Sequence, residues 1–463
     1  MTPDTHTTPP NPADDGDPSV PASPGEASGE PVEPAVEEAA PLAPLLELRD
    51  GLPPLTETPP ALADACAALA AATGPVAIDA ERASGYRYSS RAYLIQLRRE
   101  GAGTYLVDPI GFDSLDPLQE ALAGTEWILH AATQDLACLT EVGLVPSALF
   151  DTELAGRLLG YPRVGLATLV ETLLGFRMKK EHSAADWSTR PFPSSWLEYA
   201  ALDVEVLVEL RDVLAAELVE AGKDEWARQE FDALRSFTPA VRAEPWRRTS
   251  GLHKVRGRRL LGAVRELWLA RDELARQRDV SPGRLVGDSA LVAAAMAMPE
   301  DRAALLSTKG FHGRGAQRYA DRWLEALRVA RALSEDELPA RSPRVDGPPT
   351  PRAWAERDPI AAERLVSARE AIARLSEEHH LPAENVLSPD SVRRLMWTPP
   401  EPADAETVAT RLRQYGAREW QIGLTAVVLA DAITSAPAAA TQAVVPPTGT
   451  PATHQPTEAQ PPD

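Results

Sequence analysis

Five residues in three separated blocks have the types and spacing for two-metal chemistry. Asp79 and Glu81 follow the apolar run Pro75-Val76-Ala77-Ile78. Asp135 comes shortly after His130, which ends the run Trp127-Ile128-Leu129. Tyr199 and Asp203 lie in Leu197-Glu198-Tyr199-Ala200-Ala201-Leu202-Asp203-Val204. Four converging carboxylates would hold two divalent cations. Two such ions about 4 Å apart can activate a water and stabilise the leaving oxygen of a phosphodiester. Mg2+ or Mn2+ suits the donor set, because hard cations take oxygen ligands and keep several waters. The residues therefore point to a nuclease. Asp79, Glu81 and Asp203 would share one ion. The second would rest on Asp79, the substrate phosphate and waters, with Asp135 acting nearby, through water.

Tyr199 and Asp203 sit at i and i+4 of a helix and share a face, which puts the phenol beside the metal held by Asp203. A phenol with a pKa near 10 is a poor general base at neutral pH, so Tyr199 is assigned to orienting the attacking water. Each residue has an ordinary reading on its own. Asp135 could cap a helix from Leu136 to Thr140, and Tyr199 could be a core aromatic. The joint order carries the inference: strand then Asp-x-Glu, strand then His-x4-Asp, helix with Tyr-x3-Asp.

These blocks resemble the three motifs of the DEDD 3′→5′ exonucleases of the subclass with Tyr in the third motif, and most of all the ribonuclease D family. Leu129-His130-Ala131-Ala132-Thr133-Gln134-Asp135-Leu136 is similar to the second motif. Asp186-Trp187-Ser188-Thr189-Arg190-Pro191, followed by the Tyr199–Val204 stretch, is similar to the third. Ala92-Tyr93-Leu94-Ile95-Gln96-Leu97 fits the strand after the first. The resemblance covers roughly residues 46–245 and implies a ribonuclease H-like mixed-sheet fold. It implies Asp79, Glu81, Asp135 and Asp203 as metal carboxylates and Tyr199 as the water-positioning residue. The family's first motif reads Asp-Thr-Glu-Phe; here it is Asp79-Ala80-Glu81-Arg82. The carboxylates are kept, but the Thr and the aromatic that border the terminal nucleotide are not.

Around this set, His130 could touch substrate or metal, although a hydrogen-bonded strand-end histidine suits it better, since a two-magnesium site favours oxygen ligands. Lys179, Lys180 and Arg190 flank the third motif and could meet phosphates or lie in a solvated loop. Trp187 and Trp196 could stack on bases, although core packing suits them better.

The elements that must position these residues are strands first, then helices. Val76-Ala77-Ile78, Tyr93 to Leu97, Tyr105 to Val107 and Trp127 to Leu129 read as strands. Thr152 to Leu159, Leu166 to Leu174 and Ser195 to Leu210 have helical spacing. That pattern suggests an α/β mixed sheet covered by helices. From about Ser250 the pattern is all-helical. The unit over residues 250–335 resembles the HRDC domain in Arg271-Asp272-Glu273-Leu274-Ala275, Arg278-Asp279-Val280-Ser281-Pro282 and Lys309-Gly310-Phe311. Arg256 and Arg258 in its basic approach, with Lys309 and Arg314 in a glycine-rich stretch, are candidate phosphate contacts. A linker over 336–353 leads to a second HRDC-like domain over 354–435. There Pro382 echoes Pro282, and Pro389-Asp390-Ser391 echoes Gly287-Asp288-Ser289.

Bulk properties are consistent with this plan once charge is mapped. Of the formal charge of −21, residues 1–45 supply −9, with nine acids and no Lys or Arg. Residues 250–330 carry fifteen Lys and Arg against nine Asp and Glu. The acidic Pro-rich tail, 1–45, and the Pro/Thr/Ala-rich end, 436–463, bury too little apolar surface to order and are expected to be disordered. Two cysteines make a disulfide framework improbable and fit a reducing cytoplasm. No signal peptide or membrane span is expected. There is no G-x-x-x-x-G-K-[ST] loop, which excludes an ATP-driven motor.

The function expected from this sequence is a metal-dependent 3′→5′ exoribonuclease. Acting as a cytoplasmic monomer, it would trim structured RNA such as tRNA precursors and release nucleoside 5′-monophosphates. Competing readings are a DNA exonuclease of the same superfamily and an RNA-binding scaffold with a decayed site.

Overall fold

Alternation along one strand explains the layout of the site. The computed structural model describes residues 42–179, 182, 184–342 and 347–442. In β2 (Val76–Arg82), Val76, Ile78 and Ala80 pack with Leu69, Leu118 and Leu139 on one side of the sheet. Ala77 belongs to the other side, with Leu202, Val204 and Leu207. Successive strand residues point to opposite faces, so Asp79 and Glu81 follow Ala77 toward the helix that carries Asp203.

The sheet has the order β1-β4-β3-β2-β5-β6. β1 is Leu55–Thr56, β3 Ala92–Arg99, β4 Gly103–Val107, β5 Glu126–Leu129 and β6 Ala148–Asp151. β2, β3 and β4 pair antiparallel; β5 and β6 continue from β2 in parallel. This is the expected mixed sheet, and the four strands read from the sequence all lie in it. β1 and β6 are additions. The helical stretch read from Ser195 to Leu210 is two helices, Ser194–Glu205 and Leu207–Glu220, broken at Val206, whose φ of −122° and ψ of 11° are not helical.

The expected tails fall mostly outside the described residues, and both boundaries shift. Pro44 and Leu46 pair with Arg177 through backbone hydrogen bonds of 2.8 Å, so residues before 46 are tied to the nuclease. The last helix, Glu419–Gln442, passes 436.

The two helical units join the nuclease differently. The first has its own core, with Trp246, Leu267, Leu291, Phe311 and Trp323. The second, from Trp354 to Ile433, has none of its own: Trp354, Leu365, Trp420 and Leu429 belong to one buried cluster with Ile128, Phe150, Leu210 and Phe231. Trp226 of the nuclease stacks on Trp420 at 4.7 Å. No described helix is long and apolar enough to cross a membrane.

Candidate active site

A cavity of about 710 Å³ opens at the end of β2, lined by Asp79, Glu81, Asp135, Tyr199 and Asp203 among others. All five residues singled out for chemistry are therefore brought together. Oxygen atoms of Asp79, Glu81 and Asp203 all lie within 4.8 Å of one another, close enough to share one cation. Asp135 stands outside that trio and faces Arg82, whose Nη2 is 3.8 Å from its Oδ1.

The helix after Asp135 runs Leu136–Glu141, and Asp135 occupies its N-cap position without a side-chain capping bond. Its carboxylate is thus turned to the cavity rather than spent on the helix. Asp135 is 7% exposed and Arg82 31%. In a regular strand Arg82 would alternate to the far face. The ladder slips between Glu81 and Arg82, with Tyr93 the extra residue on β3, and Arg82 lines the acidic cavity.

Burial dominates the protonation of the cluster. It pushes the Glu81 carboxyl up to about 10, helped by the charges of Asp79, Asp203 and Asp135. Burial and the charge of Asp79 push Asp135 up to about 8. Asp79 and Asp203 are raised in the same way, chiefly by burial. Tyr199 hydrogen-bonds Asp203 and is held above its ordinary value by burial and that carboxylate, so it remains a phenol that can donate. Desolvated carboxylates this close repel one another and favour either protons or cations. The hard oxygen donor set fits Mg2+ or Mn2+.

His130 lies at the end of β5 and lines the cavity. Its Nδ1 is 2.9 Å from the Thr152 hydroxyl, which itself donates to the Leu129 carbonyl at 3.3 Å. Burial lowers the His130 pKa to about 4, so the ring is neutral. It is the hydrogen-bonded strand-end histidine, placed at the cavity wall.

The expected basic contacts divide. Lys179 is exposed and lines the cavity. Lys180 lies outside the described residues. Arg190 does not reach the cavity. Its Nε and Nη2 hold the Asp108 carboxylate at 2.6 and 2.8 Å. Nη1 donates to the Trp187 carbonyl at 2.7 Å and Nη2 to the Tyr93 carbonyl at 2.8 Å. With its donors engaged it is a clasp between the third motif and the sheet, not a phosphate contact. Arg258 is likewise committed, to the carbonyls of Glu335, Leu338 and Pro339 at 2.6, 2.8 and 3.3 Å. Arg256 is exposed in a separate cavity with Arg247, His253 and Arg341. Lys309 and Arg314 are exposed on the first helical unit and do not line the acidic cavity. Trp187 is 0% exposed and packs against Trp196 at 5.3 Å, so both serve the core.

The sequence reading passed over Asp151. At the end of β6 its carboxylate accepts from the amides of Ala131 and Ala132 at 3.1 and 2.8 Å, and from Glu153 and Leu154 at 2.9 and 3.1 Å. One side chain thus caps the helix Thr152–Leu159 and pins the turn leading to Asp135, where Ala131 has a left-handed φ of 58°. Asp-Thr-Glu after an apolar run signals the cap; nothing local signals the second duty.

The sequence matches the family described as 3'-5' exonuclease over residues 55–219. It matches the HRDC domain over 261–327 and the 3' to 5' exonuclease C-terminal domain over 347–433. Ribonuclease D of Acidiphilium cryptum is 33% identical over 352 residues, spanning 70% of this chain and 87% of the relative. The crystal structure of a protein from Bifidobacterium adolescentis superposes with a TM-score of 0.78 at 39% identity, covering 85% of this chain and 100% of that one. That of Escherichia coli RNase D, titled an exoribonuclease involved in structured RNA processing, does so at 0.60 and 27% identity, covering 78% and 97%.

Proposed function

The chain belongs to the ribonuclease D family of 3′→5′ exoribonucleases, and from there we propose that it trims the 3′ ends of structured RNAs such as tRNA precursors by two-metal hydrolysis. The observation that carries the metal assignment is the trio Asp79, Glu81 and Asp203, with oxygens within 4.8 Å of one another beside the Tyr199 hydroxyl. The substrate class follows the printed description of the Escherichia coli relative.

In this reading Asp79, Glu81 and Asp203 would hold one Mg2+ or Mn2+, and Asp135 would serve the second. Bound divalent cations lower the pKa of the attacking water and stabilise the leaving oxygen. The remaining work belongs to the chain. Tyr199 donates to Asp203 and orients the water with its hydroxyl. The neutral His130 forms part of the cavity wall. Arg82 and Lys179 supply positive charge where a phosphate arrives. The walls bury the carboxylates, which makes their charge costly without a cation.

The test is an end-labelled tRNA precursor with a 3′ extension, a matched DNA strand, and Mg2+ or Mn2+. Stepwise shortening of the RNA with release of nucleoside 5′-monophosphates is expected. Asp203→Asn removes a direct ligand and should lower turnover by more than about 100-fold, since even indirect metal partners are worth 10- to 100-fold. Equal turnover in the variant, or degradation of the DNA alone, would defeat the proposal.

A further inference from the structure

We propose that Asp279, in the first helical unit, is a positioning residue for the nuclease site: it clamps the loop that leaves β2 directly after Glu81 and Arg82. The inference rests on the nuclease reading and adds a second role for that helical unit. Beyond offering basic surface, its seat sets one wall of the cavity.

The loop spans residues 83–91 and has two sides. Toward the nuclease, Arg87 Nε donates to Ser188 Oγ at 2.8 Å, and the Tyr86 hydroxyl donates to the Ala184 carbonyl at 3.4 Å. Ala184 and Ala185 line the acidic cavity. Ser188 in turn donates to Asp186 Oδ1 at 2.5 Å. This inner side therefore holds the segment that lines the site at Ala184 and Ala185.

Toward the helical unit, the loop's backbone groups find partners they lack within the nuclease. Asp279 Oδ1 accepts from the amides of Tyr88 and Ser89 at 3.2 and 3.0 Å. Its Oδ2 is 3.5 Å from the hydroxyl of Tyr93, the extra residue opposite Glu81 and Arg82. The Ser281 amide donates to the Tyr86 carbonyl at 2.9 Å. Arg284 donates to the Gly85 carbonyl at 3.0 Å, with its guanidinium 4.0 Å from the Tyr86 ring centroid. The Tyr88 hydroxyl donates to Asp272 at 3.1 Å. Backbone polar groups need partners, and here a second unit supplies them. Asp279 joins both amides and the bulge at one carboxylate, so it is the point of greatest leverage.

Asp279 has a left-handed φ of 46° at the end of the helix Arg258–Arg278, and this makes a clean test possible. Glycine and asparagine both accept that conformation. Asp279→Gly removes the acceptors without straining the backbone, and Asp279→Asn keeps an oxygen for the two amides. A ribodinucleotide serves as substrate because it makes little use of remote RNA-binding surface. Asp279→Gly is expected to lower its kcat roughly fivefold, in the range found for residues that couple sites at a distance. Asp279→Asn should stay within about twofold of wild type on the same scale. Hydrogen exchange at residues 83–91 and 184–188 should quicken in Asp279→Gly alone. A role limited to gripping long RNA would leave the dinucleotide kcat unmoved. Unchanged kcat in Asp279→Gly overturns the proposal, as does an equal loss in both variants. If the wild type cleaves neither the dinucleotide nor the 3′-extended tRNA precursor, the nuclease reading fails separately. The clamp is then judged on exchange, and equal protection of 184–188 in wild type and Asp279→Gly overturns it.

Discussion

His380 and Asp279 occupy the same corner of the two helical units. Each follows its unit's long helix with a left-handed φ, 51° and 46° respectively. Beyond each, the next amide closes the same helix end: Leu381 N to Ser376 O at 2.9 Å, and Val280 N to Ala275 O at 3.1 Å. This 6→1 closure is the Schellman ending of a helix. Both corners seat on the nuclease, Asp279 through its carboxylate and His380 through its backbone. Lys223 Nζ donates to the carbonyls of His379 and Leu158, both at 2.7 Å, and so ties the second corner down.

Gly160 faces the His380 corner, and substitution there tests how closely the second unit is seated. Its φ is +82°, and a Cβ would overlap the His380 carbonyl oxygen. Gly175 has a similar φ of +73° with open space around it. Gly175→Ala should cost only the left-handed penalty, about 1–2 kcal/mol. Gly160→Ala should cost about 2 kcal/mol more, because a packed contact must shift as well. Denaturant unfolding of the pair measures the difference. Equal losses would show that the corner yields freely.

Asp151 holds four amides, so its removal should damage both structure and site. Asp151→Ala leaves buried donors at Ala131 and Ala132 without an acceptor and uncaps a helix. A loss of more than about 3 kcal/mol is expected from unsatisfied buried groups and the lost cap. Asp135 would also be less well placed, so more Mg2+ should be needed for half-maximal activity. A variant equal to wild type in both unfolding and metal titration would deny Asp151 this double duty.

These contrasts show what a sequence can and cannot reveal. Asp79, Glu81, Asp135, Tyr199 and Asp203 were legible because strand and helix periods fix the faces of neighbouring residues, and the cavity gathers all five. Arg82, Asp151 and Asp279 were not. Their roles depend on a register slip, on a turn from another strand, and on a docked neighbour, none of which leaves a local pattern. Arg190 misled for the same reason: it sits beside the third motif, yet its partner is Asp108 on the far side of the chain.

The raised carboxyls make a prediction about pH and metal. Glu81 moves from 4.5 to about 10 and Asp135 from 3.8 to about 8, both chiefly through burial. Between the ordinary and raised values the folded state keeps protons that the unfolded state has lost. Stability of the metal-free protein must then fall as pH rises through that window. Metal binding displaces those protons, so affinity should climb with pH. Melting in chelator is expected at lower temperature at pH 9 than at pH 6, and the gain on adding Mg2+ should be larger at pH 9. A gain independent of pH would mean that protons and metal do not compete for these oxygens.

Arg82 offers the sharpest separation of metal binding from substrate binding. Its guanidinium lies against Asp135 and lowers the pKa of Asp79, Glu81 and Asp135 against the effect of burial. A fixed positive charge there opposes an incoming cation but attracts a phosphate. Arg82→Gln should therefore tighten Mg2+ binding while weakening the hold on RNA. At pH 9, where Asp135 has shed its proton, removing one partly exposed charge is worth about 1 kcal/mol, or roughly fivefold in the metal midpoint. KM for RNA should move the other way by a similar factor, since a phosphate loses a charged hydrogen-bond partner. Calorimetric Mg2+ titration without RNA and steady-state kinetics with it separate the two effects. If both weaken together, Arg82 is holding the cavity in shape; if neither moves, its charge is irrelevant to the site.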